Sequence, residues 1–520
     1  MKFITQSLTV LFAAVFAFAL NAAEAAKESA PAEKPLYVLE NSKLKLELSE
    51  ESRAFDRIVY KGHKHEKNGT PIAVENAEIF ALLGNKWTWE NFRVKENSPE
   101  SLTIVYDVNT PDGKVEVTKE FTLLKDSYEL KCKLTIRNLE NKSIRLEPVV
   151  HGGMTSSWHL MSGDKPRGNV HRIDYLTADG DDEDIDADED EEDFFLKKSP
   201  DVLWSGAGNK YFCNVLATVD GKPYTLWQFR SKIPENEDLY MVGTGARITV
   251  DLPPNGTFVQ EFKLYSGPKA SKLLNGFSKD IHNVLHMAWG PLDYLARFLL
   301  WLLGIFYTIC RSYGVSIILL TLLVRSVFYP ITAKGNESMK KMQRIQPKLK
   351  EIREQYKDNP QMLNQKMAEL YRQEGINPLA GCLPILLQIP IFFALYAMLD
   401  NTIELRHVSF LWCKNLAAAD TVAVLPLPFN WSLPINPLVL AMTALMVVQQ
   451  RMTPAAMDPM QKKMMALMPI VMLLFLYDLP SGLTLYWTVS NIFSIVQLWL
   501  QKRKRPAAGN DGNAPKTQGN

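Results

Sequence analysis

The sequence predicts two domains of different class, an exported all-β supersandwich followed by an α-helical polytopic membrane domain. Three observations predict them. Between residues 36 and 267, apolar and polar side chains alternate with the period of a strand buried on one face. After residue 290 the apolar residues run together in stretches of 13 to 19 residues, several beside prolines. The 58 Lys and Arg nearly balance 57 Asp and Glu, yet acidic residues concentrate before residue 290 while basic loops lie after it. A chain of 520 residues is also too long for one ordinary domain.

Residues 1–25 carry Lys2, an apolar run over 8–20 and small residues ending in Ala23-Glu24-Ala25. They fit a cleavable signal peptide or an uncleaved first transmembrane signal anchor, and both place the β domain outside the cytoplasm. A polar linker opens that domain, residues 27–270. Its alternation is clearest over 43–48, 101–108, 114–123, 128–138, 211–221, 246–252 and 257–267, with turn signals at Pro111-Asp112-Gly113 and Pro253-Pro254-Asn255-Gly256. Residues 179–193 hold twelve carboxylates but offer no glycine where a calcium loop of the EF-hand type needs one, so a solvated, self-repelling loop is expected there.

The five cysteines, Cys132, Cys213, Cys310, Cys382 and Cys413, show neither zinc nor thioredoxin-like spacing. Cys132 and Cys213 both lie in strand-like runs of the exported domain, where a disulfide can form. His282 and His286 stand four apart but lack the glutamate and third ligand of a zinc protease, so no metal is expected. Neither a nucleophile-base pair nor a phosphate-binding loop stands out. The reading is of a non-enzyme without a cofactor.

Residues 271–313 read as linker and interfacial amphipathic helices, because the apolar run 298–310 is thirteen residues and a crossing there would carry the next basic loop outside. Spans are expected at 314–333, 380–400, 435–451, 464–479 and 482–500, with a periplasmic loop at 401–434 and a cytoplasmic loop at 452–463. Two of their apolar runs, 436–448 and 464–477, give only about 20 Å of helix against a hydrocarbon core of about 30 Å. Residues 334–379 form a basic cytoplasmic helical hairpin, with Met339, Met342, Ile345, Leu349, Ile352 and Tyr356 on one arm and Leu363, Met367 and Leu370 on the other. Pro347 is expected to kink it. This count puts the hairpin, Arg451 with Lys462 and Lys463, and the basic tail 501–520 all in the cytoplasm.

Arg325 is the one full charge within residues 314–332. An arginine near the bilayer centre costs roughly 3 kcal/mol on insertion scales and ~10 kcal/mol or more on an isolated helix. It either snorkels to the interface or faces a wet cavity. The spans also carry Thr321, Gln388, Tyr396, Gln449, Gln450, Thr484, Tyr486, Trp487, Thr488, Ser490, Asn491 and Gln497, and their only carboxylates are Asp400 and Asp478 at span ends. A positive, hydrogen-bonding cavity suits a transient anionic or polar guest better than a cation pathway. A transporter or channel for a small anionic solute, with a periplasmic ligand-binding domain, is the alternative; it predicts paired broken helices in two halves, which the sequence does not display.

The strings LLVRSVFYPITAKGNESMKKMQRIQPKLKEIREQY, INPLAGCLPILLQIPIFFALYAML, DPMQKKMMALMPIVMLLF and LPSGLTLYWTVSNIFSIVQ occur in order across residues 288–505. They resemble the YidC-type membrane protein insertases, bacterial relatives of the mitochondrial oxidase-assembly insertase. The β domain resembles the periplasmic domain of Gram-negative members. The resemblance implies a multi-pass inner-membrane protein with a five-helix core and a hydrophilic groove open to cytoplasm and lipid. Arg325 matches the groove arginine, Thr321 lies one turn before it, and Gln388, Tyr486, Trp487 and Asn491 fall in groove-side stretches. The implied guests are nascent membrane proteins. Implied partners are Sec translocon components, membrane lipids, and the ribosome or signal recognition machinery at the hairpin and basic tail, with no nucleic acid substrate. The acidic run and Asp478 depart from the family pattern.

Overall fold

The computed structural model describes residues 37–503 apart from 52, 65–68, 76, 156–171, 187–197, 234–235, 279–280, 286, 289, 377–382, 427, 429–431 and 454–458. The export segment 1–25, Cys382, His286, residues 187–193 of the acidic run and the tail beyond residue 503 lie outside the described residues. The chain divides into two compact units, Met1–Asn209 with Cys213–Gly267 and Lys210–Phe212 with Pro268–Asn520.

The first unit is β-rich. Its described strands form a 13-stranded sheet, a 4-stranded sheet and a two-stranded pair. At the heart of the large sheet, Gly113–Leu123 pairs antiparallel with Ser101–Thr110 on one side and Glu129–Asn138 on the other, and Glu129–Asn138 pairs on with Thr257–Pro268. Alternation along Gly113–Leu123 buries Val115, Val117, Phe121 and Leu123. Each such side chain contributes about 1.5–3 kcal/mol on leaving water, and Phe55 meets Phe121 edge-on at 4.9 Å.

Three expectations for this unit change. Residues 246–252 are not one strand: Ala246 and Arg247 end Asn236–Arg247, and Val250–Leu252 pairs separately with Ile144–Leu146. The acidic run is not all loop. Asp182–Asp186 is a strand paired with Arg172–Thr177, buries Ile185, and places Asp184 against Arg172; one cation and one apolar anchor offset part of its self-repulsion. Cys132 and Cys213 are both buried, and no disulfide joins them.

The second unit is helical: α1 Pro291–Cys310, α2 Tyr313–Val327, α3 Tyr329–Arg344, α4 Gln346–Gln355, α5 Pro360–Gln373, α6 Leu383–Asn401, α7 Pro437–Met452, α8 Pro459–Leu476 and α9 Ser481–Arg503. Among the described residues, Pro291–Cys310, Tyr313–Arg344 and Ser481–Gln501 are long and apolar enough to cross a membrane, and three shorter helices are apolar. α1 gains its length from residues 291–297, outside the thirteen-residue apolar run, so length alone does not argue against a crossing.

The stretch 314–332 is not one straight helix. α2 ends at Val327 and α3 starts at Tyr329 with Pro330 in its first turn, because Pro330 has no N–H to continue the ladder. The hairpin therefore has three pieces, with a second break at Ile345 just before Pro347. Ile345 and Leu349 pack against Leu370 and Ile376, with Met342, Ile352, Met367 and Tyr371 around them. The Asn359 side chain caps α5 by accepting the Met362 N–H at 3.1 Å.

Candidate functional site

Helix α9 is the element on which the polar side chains converge. Tyr486, Ser490, Ser494 and Gln497 recur at helical spacing, and Thr484, Thr488 and Asn491 form an adjacent row. All seven are buried, whereas Ile492, Val496 and Trp499 on the other side are exposed. An inward polar stripe and an outward apolar one reverse the pattern of a water-soluble helix.

The hydroxyl protons of the stripe are committed locally. Thr488 donates to the Thr484 carbonyl at 2.7 Å and Ser494 to the Ser490 carbonyl at 3.0 Å. Bonded this way, each hydroxyl keeps acceptor lone pairs for another group. Ser490 uses its own for Arg325 of α2, whose Nε donates to Ser490 Oγ at 2.5 Å while Nη2 donates to the same oxygen. Among the described residues Arg325 has no carboxylate partner. A hydrogen bond to a charged group contributes about 1.5–3 kcal/mol, comparable to the low estimate for burying an arginine and well short of the high one. The remaining N–H groups therefore need water or a guest.

Gln388 of α6 donates to the Tyr486 hydroxyl at 2.9 Å, which leaves the phenolic proton free to be donated. Of the six residues expected from the sequence, Arg325, Gln388 and Tyr486 gather with Ser490 where α2, α6 and α9 meet. Trp487 stacks obliquely on Phe392 of α6 at 4.9 Å. Thr321 is fully buried and donates to the Ile317 carbonyl of its own helix at 2.7 Å. Asn491 turns to α7 and donates to the Met442 carbonyl at 3.4 Å. These last two bond to helix carbonyls, and no hydrogen bond joins them to the Arg325 cluster among the described residues.

Ser490, one of the polar residues of the last span but not among the six expected in the groove, joins this cluster. The four-residue step from Tyr486 through Ser490 to Ser494 is the signal that could have found it. Further along α9, Gln497 approaches Thr332 of α3 at 3.5 Å, and Lys340 approaches Gln501 at 3.4 Å, extending the polar seam toward the basic hairpin.

Two family models match the chain, that of the YidC periplasmic domain over residues 39–302 and that of the 60Kd inner membrane protein over residues 305–508. The membrane protein insertase YidC of Syntrophobacter fumaroxidans is 33% identical over 416 residues, covering 79% of this chain and 72% of that protein. The insertase of the same name from Lawsonia intracellularis is 32% identical over 453 residues, covering 84% and 79%. A crystal structure of an active YidC insertase with its first transmembrane domain resolved aligns over 91% of this chain and 96% of that one, at 18% identity and a TM-score of 0.37.

Proposed function

We propose, for a chain that belongs to the YidC family of membrane protein insertases and is accordingly an inner-membrane insertase with a periplasmic domain, that the cleft of Arg325, Ser490, Gln388 and Tyr486 receives the polar tail of each client. The observation that carries this reading is a membrane-helix arginine whose one protein partner among the described residues is a serine hydroxyl. A closed, purely structural arginine calls for a carboxylate or several carbonyls. An arginine with spare donors instead favours a transient acceptor, such as an acidic side chain or the carbonyls of an unfolded segment.

In this mechanism α2, α6, α7, α8 and α9 form the five-helix core. A short polar segment enters from the cytoplasm and exchanges hydration for the donors of Arg325 and Tyr486 and the acceptors of α9, which lowers its desolvation cost. The apolar segment behind it moves along the exposed face of the helices into lipid, driven by hydrophobic transfer. No nucleotide is needed. Residues 271–313 lie at the outer interface, and the basic hairpin and tail meet the ribosome or signal recognition machinery. The Sec translocon and surrounding lipid are the lateral partners.

The test is site-specific photocrosslinking in membranes carrying a stalled nascent membrane protein. A crosslinker in place of Arg325 is expected to capture the nascent chain, while one at lipid-facing Leu474 of α8 is expected to capture mainly lipid. Capture of lipid alone at position 325 would overturn the groove reading.

A further inference from the structure

Residues 402–436 connect α6 to α7 on the side opposite the basic loops. Within residues 416–436 the one charged residue is Asp420, and it is buried. Its carboxylate accepts the indole N–H of Trp412 at 2.9 Å and the backbone N–H of Leu438, in the first turn of α7, at 2.6 Å. Apart from Ser432, the exposed residues described in this stretch are apolar. Ala423–Pro426 and Ser432–Ile435 pair as a two-stranded ribbon, and all four residues of the first strand are exposed. Val424 is 56% exposed, Leu425 48% and Leu433 44%, with Leu411 of the same connection 70% exposed.

An isolated two-stranded ribbon is marginal in water, and this one shows apolar side chains without an exposed charge among its described residues. Its base, however, is fixed to helix ends. The Tyr477 hydroxyl donates to the Pro434 carbonyl, and Asn436 donates to the Tyr477 carbonyl at 2.7 Å. Tyr477 directly succeeds α8, whose last turns expose Leu474 and Phe475 at 74% and 69%. The lipid-facing apolar surface of α8 thus continues into the ribbon.

We infer that the ribbon formed by Ala423–Pro426 and Ser432–Ile435 is a membrane anchor, resting in the headgroup and acyl boundary of the outer leaflet. Helix lengths point the same way: the apolar part of α8, residues 465–476, spans about 20 Å against a core of about 30 Å, and the ribbon supplies apolar surface where that helix stops. Depth is limited by the backbone. Open strand edges are not tolerated in the hydrocarbon core, and Pro426 and Pro434 remove two N–H groups from this ribbon, which suits the boundary and not the centre.

The experiment uses the full chain in vesicles of phosphatidylethanolamine and phosphatidylglycerol, with a bimane label on Val424→Cys and the chain without the added cysteine as background. Lys125→Cys, exposed in the β unit, serves as the water-exposed control. The 424 label is expected to lose most of its emission to lipids brominated near the headgroup, and to resist aqueous iodide that quenches the control. Equal iodide quenching at both positions would overturn the inference. So would shielding of position 424 in native membranes but not in vesicles of the pure protein, which would assign the ribbon to a protein partner. A label on Leu433→Cys should become iodide-accessible when Val424→Asp and Leu425→Asp are added; unchanged lipid quenching there would also count against the anchor.

Discussion

Lys119 of the β unit and Arg325 of the helical unit are both cations held out of bulk water, and their surroundings differ. Lys119 lies on the inward face of Gly113–Leu123 and is 2% exposed. Its amine donates to the carbonyls of Phe80 at 2.6 Å and Arg53 at 3.1 Å and sits 5.4 Å from the centre of the Tyr106 ring. Phe80 and Arg53 both have positive φ, 58° and 54°, so the lysine ties down two turns whose backbone is itself disfavoured. Arg325 has one hydroxyl and spare donors. The first environment is complete, as a scaffold requires, whereas the second keeps spare donors, and on them the proposed client site rests.

The contrast breaks most directly at Lys119. Lys119→Ala leaves two buried carbonyls without a donor and opens a cavity beside Phe80 and Tyr106, a loss of about 3–5 kcal/mol. Hydrogen exchange along Gly113–Leu123 is the measurement, and unchanged protection there would mean the lysine clamps nothing. The same residue sets a pH dependence. Burial pushes the Lys119 amine down to about 7, below its value of about 10.4 in an unfolded chain. Between those values the unfolded chain binds the extra proton, so stability of the β unit rises with pH across roughly 7 to 10 and is least below 7. Lys119→Met should flatten that rise. His151, buried and pushed down to about 4, adds a separate loss as pH falls from about 6.5.

At Arg325 the readout is insertion instead of folding. Arg325→Ala removes a charge-assisted donor worth about 1.5–3 kcal/mol, hence roughly a ten- to hundredfold loss in insertion of clients with acidic exported tails, with little loss for clients whose tails are uncharged. Arg325→Lys keeps the charge and should restore most of the yield. Equal loss in both variants would show that the planar fork on Ser490, and not the charge, is what matters.

The two cations are not equally legible in the sequence. The alternation of Val115, Val117, Phe121 and Leu123 already places position 119 inward, but its carbonyl partners stand 39 and 66 residues away, and nothing local announces them. Arg325 is visible because a charge in an apolar run is rare, while Ser490 is 165 residues distant and looks like any serine. Arg172–Thr177 and Asp201–Gly208 give no strand signal because both faces of each are largely covered, which erases period two. The ribbon at 423–435 reads as loop because its prolines and short strands carry no regular period.

The smallest effect separates the two kinds of cation most cleanly. Ser490→Ala removes the oxygen that receives both Arg325 nitrogens and little else, since the side chain is small. Were Arg325 closed in as Lys119 is, the freed guanidinium would be stranded, and the variant would lose about 2 kcal/mol of stability and insert clients as poorly as Arg325→Ala. In an open cleft water takes the place of the hydroxyl at a cost of under about 1 kcal/mol. Thermal unfolding in lipid nanodiscs should then shift very little. Acid-tailed clients should insert at least as well as before, because a guanidinium no longer held by Ser490 is a better donor to an incoming carboxylate.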